Sequence, residues 1–311
     1  MAAFQSSIGG RQFAFVNGVV WVVDAMVYAC AAFVGAVGLL GLARRKVAGT
    51  TLAAVWAWAA AAVIAVGGVE SGVWLSAGGN GMISGLPRWA DAARYAAAVL
   101  ALCPTIALLG AKRPQDRAWQ WVVAAFWTAM MVPAARACLL QGGVVVALHA
   151  AQGAFLLVIV AMGVANWIAT RFAVAAIVGG GAQALLVAPY TPLAVWLPET
   201  PIATQAAALV GIALAIAICF CRRRTAHAGD PIERQWLDFR DQFGLFWSAR
   251  VMARLNVAAR AHGWPMTIQW GRIAFDAQAD EQARAAVGRC LRMLLRRFVS
   301  AEWLSAKGRA A

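Results

Sequence analysis

The chain has 311 residues, of which 62% are hydrophobic and only 13% are charged, and its mean hydropathy is +0.69. A soluble domain cannot bury that much apolar surface, so the composition excludes an ordinary soluble protein and favours a membrane protein. The formal net charge of +14 fits basic loops and a basic tail beside a membrane, and nucleic acid is therefore not an expected partner.

Seven apolar segments are long enough to cross a membrane, which takes about 20 residues of helix. The first contains Asp24 and is too long for the apolar region of a cleaved signal peptide, so we interpret it as a helix. The boundary between the fourth and fifth is poorly defined, within residues 130–143. The predicted spans are residues 19–42, 51–69, 93–111, 118–135, 143–165, 172–189 and 201–221.

Small residues are frequent in these segments, as in "GAVGLLG" (35–41) and "GGG" (179–181). Helices in lipid pack by close backbone approach, which Gly and Ala permit, so a tightly packed bundle is expected. Pro104 lies near the middle of the third span and lacks the N–H that a helix needs at that position. The sequence therefore predicts a kink there.

The distribution of basic residues predicts the orientation of the spans. Ten basic residues follow the odd-numbered spans and four lie on the opposite side, which favours an external N-terminus and a cytoplasmic C-terminus. The ten are Arg44, Arg45, Lys46, Lys112, Arg113, Arg117, Arg171, Arg222, Arg223 and Arg224, and the four are Arg11, Arg88, Arg94 and Arg136.

Residues 222–311 are predicted to form a small α+β cytoplasmic domain made of a helix, a hairpin and a helix. Asp230 followed by Pro231 is typical of a helix start, and Asp280 is a candidate cap for the last helix. The stretch "MTIQWGRIAF" (266–275) alternates apolar and polar residues around Gly271 and Arg272, which suits a two-residue hairpin turn.

Motifs for known membrane chemistry are absent or incomplete. His149 is the only histidine in or beside a span, so bis-histidine haem is excluded, and haem held by His149 with a methionine stays a third hypothesis. The seventh span has no lysine for a retinal Schiff base. Ser84 lacks the glycine two places before it that a rhomboid-type GxSG motif has. No Walker motif occurs either. We therefore expect no catalytic residue, no cofactor and no metal. The six cysteines form no CxxC pair; they are Cys30, Cys103, Cys138, Cys219, Cys221 and Cys290.

One group of charged residues is a candidate functional site. Its members come from several spans or their edges, and those on the first four spans lie at similar depth, near the outer face. Ionisable residues at membrane depth usually pair and often mark a function, so an outward-facing polar vestibule is one interpretation. Solvated helix ends in the headgroup region are the alternative. The candidate residues are Asp24, Glu70, Asp91, Arg94, Arg136 and Glu199.

The C-terminal domain offers a second candidate, a face for docking a partner or contacting lipid. Aromatic residues recur at helical spacing in its first helix, and arginines share one face of its last helix. Such basic helices are attracted to anionic lipid, and Trp and Arg are enriched at interaction sites; a solvated face is the alternative. The candidate residues are Trp236, Phe243, Trp247, Arg289, Arg292 and Arg296.

The segments "LCPTIALLGAKRPQDRAW" (102–119) and "WLDFRDQFGLFWSARVMARLNVAARAHGWPMTIQW" (236–270) resemble a family of multi-pass membrane proteins from planctomycete bacteria. The resemblance covers about a fifth of the chain, and the family has no assigned activity. It implies a bacterial inner-membrane protein and carries over no functional residue.

The leading functional hypothesis from the sequence is a non-catalytic accessory, scaffold or assembly subunit of a bacterial inner-membrane complex, with the C-terminal domain as docking module. The expected partners are membrane lipids and other membrane-protein subunits. The alternative is a small-molecule or ion transporter that uses the outer charged residues and the kink at Pro104.

Overall fold

The computed structural model describes residues 26–77, 87–140, 142, 145–197, 201–222, 230–277 and 279–309. This part of the chain is mostly helical, with a two-stranded sheet. Seven of its helical segments are long and apolar enough to cross a membrane. These candidate spans, numbered 1 to 7 below, are Met26–Val47, Ala53–Ser76, Ala90–Leu109, Trp119–Leu140, Ala150–Ile168, Ala173–Tyr190 and Ala203–Cys221.

Each candidate span overlaps one predicted span, with the ends moved by up to seven residues. The helices that form spans 2 to 7 are Ala53–Ala77, Ala90–Leu100, Cys103–Leu109, Trp119–Met130, Val132–Leu140, Ala150–Ile168, Ala173–Val187 and Pro201–Cys221. Short 3-10 turns cover Ala188–Tyr190 and Pro192–Trp196. The undefined boundary between spans 4 and 5 is occupied by the helix Val132–Leu140, which extends span 4.

Small residues bring the helices together as the sequence predicts. A Cβ added to Gly211 of span 7 would lie 2.9 Å from the Cβ of Ala182 in span 6. A Cβ on Gly180 would overlap the side chain of Val164 in span 5. Glycine therefore sets the close approach of spans 5, 6 and 7, because a methyl group would separate them.

The bundle has two chemically different ends. We call the end with the loops after spans 1, 3 and 5 and with Arg222 the tail end, and the opposite one the far end. All the described C-terminal residues that contact the bundle do so at the tail end, through Lys46, Gly49, Ala111, Arg113 and neighbouring residues. The basic loops and the C-terminal domain therefore lie on the same side of the bundle.

The C-terminal domain consists of a long helix, a hairpin and two further helices. The long helix, Pro231–His262, begins where the Asp230 side chain accepts a hydrogen bond from the Ile232 N–H at 2.8 Å. The Asp280 carboxylate caps the helix Glu281–Leu295 by accepting from the Ala283 N–H at 2.6 Å. We call this helix the basic helix; a last helix covers Ala301–Arg309.

The hairpin differs in one detail from the prediction. Its antiparallel strands are Met266–Ile268 and Ile273–Phe275, with Ile268 opposite Ile273. The Gln269 N–H also donates to the Arg272 carbonyl at 2.9 Å, so Trp270 and Gly271 form the tip of the hairpin, one position earlier than the predicted pair. From this tip, the Trp270 Nε1–H donates to the Ala169 carbonyl oxygen of the bundle at 2.6 Å.

Backbone hydrogen bonds join the C-terminal domain to the loops at the tail end. The Thr51 N–H donates to the Phe298 carbonyl at 2.9 Å, and the Ser300 N–H donates to the Gly49 carbonyl at 2.7 Å. The Arg113 N–H donates to the Arg297 carbonyl at 2.8 Å. Through these bonds, the residues that follow the basic helix lie along two loops of the bundle.

A glycine in the long helix makes a further contact with span 5. Gly244 has φ +70° and ψ −164°, which interrupts the helix at that residue. The buried Asn166 side chain of span 5 fits into the interruption. Its Oδ1 accepts from the Phe246 N–H at 2.9 Å, and its Nδ2 donates to the Phe243 carbonyl at 3.4 Å. We call this arrangement the Asn166 clasp.

The aromatic residues proposed above as a docking face are buried, so that part of the prediction is wrong. Trp236 and Phe243 are fully buried and Trp247 is 4% exposed. They form one core that also contains Leu52 and Leu108 of the bundle. The helical spacing correctly indicates an apolar face, but the partner of this face is the protein's own tail end.

The arginines proposed for the same docking or lipid-contact face lie on the surface. Arg289, Arg292 and Arg296 are exposed on the basic helix, whose opposite side contributes Leu291 and Leu295 to the core. This basic face therefore remains accessible.

Candidate functional site

The most strongly buried charges in the described part of the bundle belong to Glu70 and Arg94. The Arg94 Nε donates to Glu70 Oε1 at 2.7 Å, and its Nη2 donates to Oε2 at 2.7 Å. The two side chains are 1% and 5% exposed. Two parallel hydrogen bonds between a guanidinium and a carboxylate form the strongest geometry for such a pair. The ion pair therefore connects spans 2 and 3, and the two opposite charges cancel.

Asp91 lies one helical turn from Arg94 and connects two other parts of the far end. Its Oδ2 accepts from the Val146 N–H at 2.6 Å. The Tyr190 hydroxyl, at the end of span 6, is 3.1 Å from the Asp91 carbonyl oxygen and 3.3 Å from Oδ1. The Asp91 carboxylate is therefore held by a backbone donor and a phenol.

A pair of tyrosines completes this polar layer. The rings of Tyr95 and Tyr190 meet edge to face with centroids 4.9 Å apart. The Tyr95 hydroxyl donates to the Met130 carbonyl at 2.9 Å, next to the break between the two helices of span 4. The "far-end polar layer", as we call it, consists of Glu70, Asp91, Arg94, Tyr95 and Tyr190.

The predicted outer group is thus only partly assembled. Glu70, Asp91 and Arg94 lie together, whereas Arg136 is exposed on span 4. Asp24 and Glu199 lie outside the described residues. No polar vestibule opens between Glu70 and Arg94, because these two side chains are in bidentate contact.

Span 3 is broken where the sequence predicts a kink. Its helices Ala90–Leu100 and Cys103–Leu109 are separated by Ala101 and Leu102. Pro104 has no N–H to donate, and the Thr105 N–H bonds to the Leu102 carbonyl instead of that of Ala101. The Ala101 carbonyl accepts from the Gln183 Nε2 of span 6 at 2.7 Å. The break is therefore stabilised by a side chain from a neighbouring span.

A half-open cavity of about 270 Å³ adjoins this break. Residues from every candidate span except span 4 line it, and most of them are apolar and small, including Ala62, Val66, Gly163 and Gly180. Gln183 and Thr105 are the polar side chains of its lining, and none of the lining residues is charged. The volume is close to the lower limit of small-molecule pockets, about 300 Å³.

The cavity and the far-end polar layer follow one another along the same helices. In span 2, Val66 lines the cavity and Glu70 lies one turn further on. In span 3, Ala101 lines the cavity and Arg94 lies seven residues, or two turns, away. Residues at these spacings share a helix face. The cavity is therefore followed by the ion pair in the direction of the far end.

At the tail end the cavity approaches the C-terminal domain. Leu108 and Trp167 line the cavity, and both contact the core of that domain. The Trp247 Nε1–H donates to the Leu108 carbonyl at 2.8 Å. The Asn166 clasp is adjacent in sequence to Trp167, so the domain contacts the same turn of span 5 that forms part of the cavity wall.

Sequence reasoning missed Gln183, Asn166 and Tyr190. Each is a polar residue within or at the end of an apolar segment, as in "GGGAQALLV" and "GVANWI". A lone amide in such a run needs a partner, because an unpaired polar group is costly in an apolar environment. The sequence therefore contained this signal for Gln183 and Asn166.

No family model, no curated protein and no solved structure matches this chain. Within the residues described, no group of three or more His, Cys, Asp or Glu side chains could hold a metal ion.

Proposed function

We propose that this chain is a multi-pass membrane protein that transports a small neutral molecule through the bundle. The observation that carries the proposal is the succession of cavity, broken span 3 and buried ion pair along the same helices. Broken helices beside a central cavity are the usual construction of transporter binding sites. Ionisable residues at this depth are costly to keep, which supports a functional role.

The cavity limits the class of substrate. Its lining residues carry no charge and offer the Gln183 amide and the Thr105 hydroxyl. Its volume lies near the lower limit of small-molecule pockets, which favours a small solute. Small polyols and amides are therefore the substrates to test first, and the Glu70–Arg94 pair would act as the gate at the far end.

We propose a bacterial inner membrane as the location, with the tail end and the C-terminal domain in the cytoplasm. The excess of basic residues at the tail end supports this orientation. The resemblance to planctomycete membrane proteins supports the bacterial origin.

The test uses the full chain in proteoliposomes and stopped-flow light scattering with urea or glycerol as solute. We expect faster equilibration than in protein-free liposomes for at least one solute. The double variant Glu70→Gln/Arg94→Gln removes both charges together and should alter the rate at least tenfold. Arg94→Gln alone would leave Glu70 buried and unpaired, which costs about 3–5 kcal/mol and should lower the amount of folded protein.

Arg136→Gln is the matched control, because this arginine is exposed at the same end of the bundle. It should transport as the unmodified protein does. Equal rates for all solutes with and without protein would contradict the transport proposal, as would an unchanged rate in the folded double variant.

A second candidate function, a subunit of a membrane complex, is favoured by the basic face. Arg289, Arg292 and Arg296 are exposed, and Met293 between them is 64% exposed. Arg and Met are enriched at protein interfaces. Mild-detergent purification from the native host should then yield a stoichiometric membrane-protein partner that is lost in Arg289→Glu/Arg292→Glu. Isolation as a stable monomer without partners would contradict it.

A further inference from the structure

Four basic residues lie on segments that meet at the end of span 3, at the tail end of the bundle. Lys112 follows span 3 in the loop to span 4, Arg250 and Arg254 lie one turn apart on the long helix, and Arg297 follows the basic helix. The three arginines are exposed and Lys112 is half-buried. We call this group the junction patch; it contains none of the three arginines of the basic face.

Backbone and ring contacts bring these residues together. The Arg113 N–H donates to the Arg297 carbonyl at 2.8 Å, which joins Arg297 to the loop of Lys112. The Arg250 guanidinium lies 4.8 Å from the ring centroid of Trp247, whose Nε1–H donates to Leu108 in the last turn of span 3. Three separate segments therefore converge on one point of the bundle.

The charge of the junction patch is not compensated locally. Partial burial and then repulsion from Arg297, Arg254 and Arg250 lower the pKa of Lys112 below its ordinary value. Among the described residues, none of the four side chains forms a salt bridge with a carboxylate. Glu302 attracts Arg113, which is not one of the four. A site that holds like charges together gains from binding an anion.

The position of the junction patch identifies the source of the anion. Lys112 lies three residues after Leu109, the end of span 3, and seven before Trp119, the start of span 4. With both spans in a bilayer, this loop lies at the headgroup level. Trp121 in the first turn of span 4 is 80% exposed, as expected for an aromatic side chain at the membrane interface.

We propose that Lys112, Arg250, Arg254 and Arg297 bind the phosphate group of an anionic phospholipid in the leaflet next to the C-terminal domain. Arginine forks suit phosphate oxygens, and basic pockets on the cytoplasmic side of membrane proteins bind anionic headgroups. The inference rests on the membrane placement proposed above and is independent of transport. A bound lipid would join span 3 to the domain by charge, in addition to the hydrogen bonds.

The test titrates the full chain in a neutral detergent with short-chain phosphatidylglycerol, short-chain phosphatidylcholine or inorganic phosphate, and follows binding by native mass spectrometry and tryptophan fluorescence. We expect phosphatidylglycerol to bind and the other two to bind at least tenfold more weakly. Arg250→Gln/Arg254→Gln should weaken phosphatidylglycerol binding about thirtyfold, since two charges near the headgroup are removed.

The matched control is Arg289→Gln/Arg292→Gln, which removes two exposed charges from the basic helix instead. It should leave binding unchanged, and thermal unfolding without lipid should show that both double variants are folded. Equal binding of the two phospholipids would overturn the proposal. Unchanged binding in the Arg250/Arg254 variant, an equal loss in the control, or an equal response to inorganic phosphate would also overturn it.

Discussion

Replacement of Gly244 by alanine tests the Asn166 clasp directly. The backbone at Gly244, with φ +70° and ψ −164°, lies in a region that is essentially restricted to glycine. A non-glycine residue there costs about 1–3 kcal/mol. An added Cβ would also lie 2.5 Å from the Asn166 carbonyl oxygen, which real Cβ atoms do not approach so closely.

The size of the destabilisation follows from the contacts that must break to make room for the added Cβ. To relieve the contact, the long helix must separate from span 5, and the Asn166 side chain loses its bonds to the Phe246 N–H and the Phe243 carbonyl. Each buried group left without a partner costs about 1–3 kcal/mol. Together with the backbone strain of about 1–3 kcal/mol, the loss of two such bonds should weaken the attachment of the domain by about 3–9 kcal/mol.

The assay is limited proteolysis of the full chain in mild detergent, with cleavage in the C-terminal domain as the readout. Cleavage follows the population of the open form when opening is fast, so a loss of 3 kcal/mol should raise the rate more than a hundredfold. Gly263→Ala is the control, because Gly263 has φ +63° but open space around its Cβ position. It should cost only about 1–2 kcal/mol, the penalty for left-handed backbone alone.

Equal cleavage rates for Gly244→Ala and Gly263→Ala would refute the reasoning, because the contact with Asn166 would then contribute nothing. Asn166→Ala separates the contribution of the hydrogen bonds from that of the backbone strain. It removes the hydrogen bonds but leaves the glycine backbone unstrained, so its effect should lie between those of the two glycine variants.

Two further predictions concern the bundle. Gln183→Leu leaves the Ala101 carbonyl at the break of span 3 without its side-chain donor, and it should destabilise the bundle by about 1–3 kcal/mol in a thermal unfolding assay; no change would mean that water or another group replaces the amide. For the orientation, Arg88→Cys and Arg289→Cys are compared in a cysteine-free background of intact cells. A membrane-impermeant maleimide should label the first directly and the second only after permeabilisation, and the reverse pattern would invert the proposed topology.

The sequence predicts local features well, because their causes are local. Seven apolar segments, the caps at Asp230 and Asp280 and the break beside Pro104 each follow from a few neighbouring residues. The partner of an apolar face does not follow from neighbouring residues. The spacing of Trp236, Phe243 and Trp247 indicates burial, but the spans are apolar on all sides, so nothing in their sequences identifies the end that receives these rings.

The candidate site shows the same limit. Glu70 and Arg94 are predicted to lie at similar depth, yet they are 24 residues apart and on different helices, so their bidentate pairing depends on the rotation of both spans about their axes. That rotation is set by packing between small residues. The Gly244 interruption is equally hidden, because the residue that fits into it, Asn166, lies 78 positions earlier in the chain.

The shared core of Leu52, Leu108 and the buried rings of the long helix has a consequence for biogenesis. Ribosomes make the seven spans first and the C-terminal domain last, so the domain can complete its core only when the ends of spans 1, 3 and 5 already lie on one side. A chain with one span inserted the wrong way round would keep its tryptophans and phenylalanines exposed to chaperones and proteases. The stability of the domain would thereby depend on the correct orientation of the preceding helices.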